Sequence, residues 1–123
     1  MQLTLHQPQT HYFIRSYHSH YITVVDRDLQ RSFILSGERL IEEWPVSSVS
    51  DLDTVTVKSI LDLEPEVVLL GTGSSIVFPK ASILAEFLSR KIGIEIMDNA
   101  AASRTFNVLS GEGRKVVAAF ILS

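Results

Sequence analysis

Hydrophobic and polar positions divide the chain into a patterned body and a polar start. The first eleven or so residues are mostly polar and contain Pro8, the pattern of an arm or a short edge strand. From His20 the run Tyr21-Ile22-Thr23-Val24-Val25 is β-branched and aromatic, which predicts a strand. Asp26-Arg27-Asp28 reads as a polar turn. Gln30 to Ser36 alternates well enough for a second strand, and after the Gly37-Glu38 turn Arg39 to Trp44 forms a third, closed by Pro45. Together these make a short antiparallel meander. Ser47 to Asp53 reads as loop. Thr54 to Leu63 carries two patterns: its Val and Thr residues favour strand, while Val57, Ile60, Leu61 and Leu63 fit a helical face. Pro65 disfavours the αR conformation at Glu64, which favours a short helix ending there.

The second half has a different rhythm. Glu66 to Leu70 is a continuous apolar run, as expected of a strand buried on both faces. Gly71-Thr72-Gly73-Ser74-Ser75 is a loop. Lys80 to Lys91 is an amphipathic helix with Ile83, Leu84, Phe87 and Leu88 on one face, stopped by Gly93. Ile94 to Met97 is a strand. Asp98 or Asn99 caps a helix over Ala100 to Ser110, which Gly111 or Gly113 closes. Val116 to Leu122 is a last buried strand. The order is thus an antiparallel meander, a short helix, then β-α-β-α-β, an α/β class with a largely parallel core. Residues 1–16 read as an N-terminal arm and 17–123 as one α/β domain.

Length agrees with a single domain. A chain of 123 residues folds to about 6,600 Å² of surface against about 20,000 Å² extended, so a core forms without staples. No apolar run approaches the roughly 18 residues of a membrane span. Met1 to Pro8 shows neither a basic-then-apolar leader nor an Arg-rich transit pattern, so a cytoplasmic setting is expected. The absence of cysteine removes disulfides, thiolate metal ligation and a thiol nucleophile. A formal charge of −3 without a basic block argues against nucleic acid as a partner.

Candidate chemistry is thin. A strand, Gly71-Thr72-Gly73, a helix and a strand ending at Asp98 partly match a dinucleotide fingerprint, but a third glycine is missing and Ile76-Val77-Phe78-Pro79 intervenes before the helix. The segment Asp98 to Asn107 begins at the carboxyl end of a strand, where open α/β sheets bind ligands. Arg104 there is suited to an anion, with Asn107 and Ser103 near it and Thr72, Ser74 or Ser75 across the gap if the two loops meet. The plainer role for Arg104 is to tie down the Gly71 loop or to pair with Asp98. His18 and His20 share a strand face at a spacing that suits a metal, yet no third ligand accompanies them. Glu42 and Glu43 point to opposite faces of their strand. No Gly-x-Ser-x-Gly elbow occurs, and the sequence offers no convincing nucleophile–base pair. Neither a metal nor another cofactor is expected.

Several stretches resemble one family. Leu69-Leu70-Gly71-Thr72-Gly73, Gly93 to Asp98, Ala101 to Leu109 and Glu112-Gly113-Arg114 are similar to domain-of-unknown-function family 498, and Trp44-Pro45-Val46 also fits. That family includes mitochondrial respiratory complex I assembly factor 3 and many small bacterial proteins. The resemblance implies a compact three-layer domain with a mixed central sheet, protein contacts as the mode of action and no established enzymatic activity. Relatives often carry cysteine where this chain has Ser103 and tyrosine where it has Phe106, so neither a thiol nor a phenol is available here. Gly71, Thr72, Gly73, Asp98, Arg104, Thr105 and Asn107 are the motif positions that would form a shared surface or pocket. The expected function is a non-enzymatic protein-binding module, with assembly of a respiratory or membrane complex as its expected role. The alternatives are an anionic small-molecule site, binding or catalytic, between the Gly71 loop and Asp98–Asn107, and a homo-oligomer built on the meander.

Overall fold

The computed structural model describes residues 11–123. The arm read over the first residues therefore lies, for residues 1–10, outside the described residues. Strand β1 (Ile14–Tyr17) opens the described body and pairs antiparallel with β2 (Ile22–Val24), which pairs antiparallel with β3 (Arg27–Leu29). These three form one small sheet. Strand β4 (Phe33–Leu35) leaves it for a second sheet, followed by β5 (Leu40–Ile41), a 3-10 turn (Val49–Asp51) and helix α1 (Thr54–Leu61). Then come β6 (Val67–Gly71), α2 (Ala81–Leu88), β7 (Gly93–Met97), α3 (Asn99–Gly111) and β8 (Val116–Phe120). The five-stranded sheet has the order β5-β4-β8-β6-β7, with β6 parallel to β7 and β8, and β4 antiparallel to β5 and β8.

Alternation along the central strands sorts the core into two halves. Val116, Ala118 and Phe120 of β8 enter one cluster, and Val117, Ala119 and Ile121 the other. Phe33, Leu35 and Leu69 join the first, and Ile34, Val68 and Leu70 the second. Successive strand side chains point to opposite faces, so continuous apolar runs are what a sheet covered on both sides requires. The β1-β2-β3 sheet and α3 cover the first face through Ile14, Ile22, Val24, Ala102 and Phe106. Helices α1 and α2 cover the second through Val57, Ile60, Ile83 and Phe87. The crossover through α2 runs outward from β6 to the edge, and that through α3 runs back past β6 to β8. Crossovers of one hand running in opposite directions place their helices on opposite faces, which completes the three layers.

Several local details differ from the sequence pattern. Arg27–Leu29 is a strand, not a turn: Val24 pairs with Arg27, so the reversal is confined to Val25 and Asp26, with Val25 at φ 55. Thr23 Oγ1 donates to the Asp28 carboxylate at 2.7 Å across this hairpin, a cross-strand bond that three-residue strands are too short to announce. The antiparallel strands are divided between two sheets. Helix α2 ends at Leu88, which is 61% exposed and turned away from the Ile83–Phe87 stripe. Lys91, at φ 60, makes the reversal expected of Gly93, and Gly93 begins β7.

The helix ends follow known capping chemistry. Asp53 caps α1, accepting from the Thr56 N–H at 2.9 Å while Thr56 Oγ1 accepts from the Asp53 N–H at 3.0 Å. At the end of α3, Gly113 N–H donates to Ser110 C=O and Arg114 N–H to Leu109 C=O, both at 3.1 Å, with Gly113 at φ 80: a Schellman closure. Gly113→Ala should therefore lower stability by about 1 kcal/mol, because alanine strains in the left-handed region. Gly111→Ala, which lies within the helix and meets nothing within 4 Å, should raise it by about 0.5 kcal/mol. Urea midpoints of the two variants check this opposition. The N–H of Thr56, bonded to the Asp53 carboxylate, holds its pKa below the ordinary 3.8, against a smaller opposing effect of desolvation. A depressed pKa stabilises the fold above that ordinary value and loses the benefit as pH falls through the folded pKa. Asp53→Asn should flatten the acid limb of the stability profile below about pH 4, as measured by thermal unfolding across pH 2–6.

Candidate functional site

The loop after β6 and the start of α3 do meet, and the residue that joins them is Asn99. Its side chain is buried: Oδ1 accepts from the Gly73 N–H at 3.2 Å, and Nδ2 donates to the Ile121 C=O at 3.0 Å. Its backbone N–H donates to Gly73 C=O at 2.8 Å, and its C=O accepts from Ser103 Oγ at 2.8 Å. One residue thus ties together the β6 loop, α3 and the end of β8. Gly71 is required by this contact. A Cβ there would sit 2.3 Å from Asn99 Oδ1 and 3.2 Å from Phe120 Cδ1, although Gly71 has no positive φ. Gly73 is needed for conformation instead, at φ 106.

Thr72 is the second tie. Its N–H donates to Met97 C=O at 2.9 Å. Its hydroxyl donates to Ser75 C=O at 2.7 Å and accepts from the Val77 N–H at 3.0 Å, folding the loop over itself. Pro79 is buried and pins the far end. Between these anchors Ser74 and Ser75 are exposed, and so are three consecutive apolar side chains: Ile76 at 52%, Val77 at 47% and Phe78 at 71%.

The remaining predicted positions separate. Asp98 caps α3, accepting from the Ala101 N–H at 2.8 Å. Arg104 is exposed, with no ion pair among the described residues, so it neither ties the Gly71 loop nor pairs with Asp98. Thr105 is half-buried. Asn107 turns to β1, where its Oδ1 accepts from the Ile14 N–H at 2.9 Å and its Nδ2 donates to the Ile14 C=O at 2.8 Å. His18 and His20 lie in the β1–β2 connection, not on a strand, and His18 stacks on Tyr21 at 4.2 Å. Among the described residues no three His, Asp or Glu side chains converge as metal ligands.

Two open clefts lie elsewhere. One of about 470 Å³ is lined by Arg39, Asp62, Ser110, Arg114 and Lys115 among others, and one of about 500 Å³ by Arg31, Trp44, Pro45 and Ser47 among others. Neither includes a residue of the Gly71 loop or of Asp98–Asn107. Where an open α/β sheet holds a ligand, Asn99 fills the crevice with hydrogen bonds. Sequence reasoning placed Asn99 only as a helix cap. The signal in the sequence is a glycine at a strand end, Gly71, with an asparagine at the start of the helix after the neighbouring strand.

Fold and site together define a three-layer α/β domain whose carboxyl-end crevice is closed by an asparagine tie and whose β6 loop is held outward. Solved structures share the fold. A Xanthomonas campestris protein is 43% identical with a TM-score of 0.87, over 99% of this chain and 92% of that one. A Bordetella pertussis protein described as a Mth938-like domain is 25% identical with a TM-score of 0.80, over 98% of this chain and 92% of that one. The chain belongs to the family described as protein of unknown function (DUF498/DUF598), whose model matches residues 14–121. Relatives include NADH dehydrogenase [ubiquinone] 1 alpha subcomplex assembly factor 3 from Danio rerio, 40% identical over 66% of this chain and 48% of that protein. Its Homo sapiens counterpart is 29% identical over 79% and 59% respectively. A 13 kDa major membrane protein of Francisella tularensis is 30% identical over 68% of both chains. The chain spans about half to three fifths of the length of those assembly factors. No helix among the described residues is long and apolar enough to cross a membrane.

Asn99→Ala should cost about 2–4 kcal/mol, since it leaves the Gly73 N–H and Ile121 C=O unpaired. Gly71→Ala should cost about 2–3 kcal/mol by overpacking against Asn99. The double variant should be at least about 1 kcal/mol more stable than the sum of the two, because truncating Asn99 makes room for the new Cβ. Denaturant unfolding of the four proteins in the cycle measures the coupling.

Proposed function

We propose that the chain is a non-enzymatic protein-binding module that acts in assembly of a respiratory or membrane complex, and that it docks through the Gly71–Pro79 loop, with exposed Arg104 of α3 as a further contact. The observation that carries this reading is the exposure of Ile76, Val77 and Phe78 on a loop held at both ends. A loop ordered before binding loses little conformational freedom when it docks, and large apolar side chains supply the contact area. Kinship with proteins named as complex I assembly factors supports the assembly role. The alternative of an anionic-ligand site between Gly71–Gly73 and Asp98–Asn107 has less support, because Asn99 occupies the intervening space.

The test is affinity capture of the tagged full chain from its native host in mild detergent, with Phe78→Asp and Arg104→Ala as variants. Phe78 is exposed, so Phe78→Asp should leave the unfolding midpoint within about 0.5 kcal/mol of the parent. The expected result is a stoichiometric partner, identified as a subunit of a respiratory or membrane complex, reduced at least about tenfold in Phe78→Asp and less in Arg104→Ala. Equal recovery of that partner with all three proteins overturns the assigned surface.

A further inference from the structure

The open edge of the central sheet points to a second contact, and the hydrogen-bond parity of β7 shows which groups it offers. The Gly93 N–H donates to Glu66 C=O at 3.3 Å, and Met97 C=O accepts from Thr72 N–H at 2.9 Å. In a parallel pair alternate residues turn both backbone groups to the same neighbour. Gly93, Glu95 and Met97 therefore face β6, and the N–H and C=O groups of Ile94 and Ile96 face outward. Strand β7 has no second neighbour among the described residues.

Other edges in the described structure are blunted, as edge strands usually are. Strand β5 has two residues and ends before Glu43, at φ 59, and Pro45. Strand β3 has three residues, and its exposed Arg27 pairs with Glu42. On β1 the Asn107 side chain occupies both backbone groups of Ile14. Strand β7 is five residues long and paired in regular register with β6, with neither proline nor bulge. We propose that it takes an extended segment of a partner protein as an added strand. Ile94 and Ile96 pack with the α2-side cluster, while Glu95 is exposed on the other face. The matching segment alternates apolar residues with Lys or Arg, so that a cation lies beside Glu95. A second copy of this chain is a poorer match. Its fullest two-fold pairing, Gly93 to Met97 against itself, sets Glu95 opposite Glu95, and like charges directly opposite destabilise a pair. This inference rests on the protein-binding reading but uses a surface separate from the β6 loop.

The experiment follows backbone amides of the full chain by hydrogen exchange, with a synthetic peptide Thr-Val-Lys-Val-Lys-Val-Thr and its Glu-for-Lys counterpart as probes. In the isolated chain, Ile94 and Ile96 should exchange at least about tenfold faster than Glu95, whose N–H faces β6. The Lys peptide should slow both by about tenfold or more at saturation, and the Glu peptide should not. Glu95→Lys, an exposed substitution, should reverse the preference. Ile96→Pro, which removes an N–H that β6 does not use, should abolish the slowing at Ile94. Phe78→Asp should leave it unchanged, which separates failure of this edge from failure of the loop. Slow exchange of Ile94 and Ile96 in the isolated chain, no response to the Lys peptide, or equal response to both peptides overturns the proposal.

Discussion

The carboxyl end of this domain depends on one buried amide. Asn99 satisfies a donor in the β6 loop and an acceptor beyond β8, while its own backbone joins the loop to α3. A primary amide offers a donor and an acceptor on one rigid plane, which neither aspartate nor leucine of similar size provides. The constraint runs both ways. Because the amide lies 2.3 Å from where a Gly71 Cβ would stand, the strand must end in glycine. Beyond the filled crevice, Ile76, Val77 and Phe78 of the loop face solvent.

The second core half has a comparable tie at the opposite flank. Ser32 is buried; its hydroxyl accepts from the Leu122 N–H at 2.8 Å and lies against Val46 C=O, so the residues after β8 are held to the segment that follows Trp44. Trp44 donates its indole N–H to Thr56 C=O at 3.0 Å, which fixes α1. These bonds bring distant segments together where strands are too short to hold themselves. Two stacked rings, Phe33 and Phe120 at 4.9 Å, do the same within the sheet. Polar groups in the core thus specify which segments meet, while the apolar runs supply most of the driving force.

Much of the fold was legible, and the reasons are particular. Glu66–Leu70 and Val116–Leu122 read as buried strands because both faces of the sheet are covered. Helix α3 was legible because capping residues bracket it, although the choice of Asp98 over Asn99 and of Gly113 over Gly111 came from the structure. What stayed hidden was set by contacts distant in sequence. Three-residue strands such as Arg27–Leu29 show no usable alternation, so a charged strand looked like a turn. The division of the antiparallel strands between two sheets follows from the pairing of β4 with β8, some ninety residues away. At the site, Gly71-Thr72-Gly73 partly matches a dinucleotide fingerprint, yet its glycines serve a close approach and a left-handed turn. Ile76-Val77-Phe78 was visible only as an interruption of a motif, since apolar residues in a loop do not reveal from sequence whether they are covered.

The central claim is that Asn99 and Thr72 hold the β6 loop rigid and outward before any partner arrives. Backbone ¹⁵N relaxation of the full chain measures this directly. The account predicts order parameters for Gly73 to Phe78 near those of the sheet, about 0.8 or above. Values below about 0.6 over Ser74 to Phe78, with the sheet remaining rigid, would contradict it.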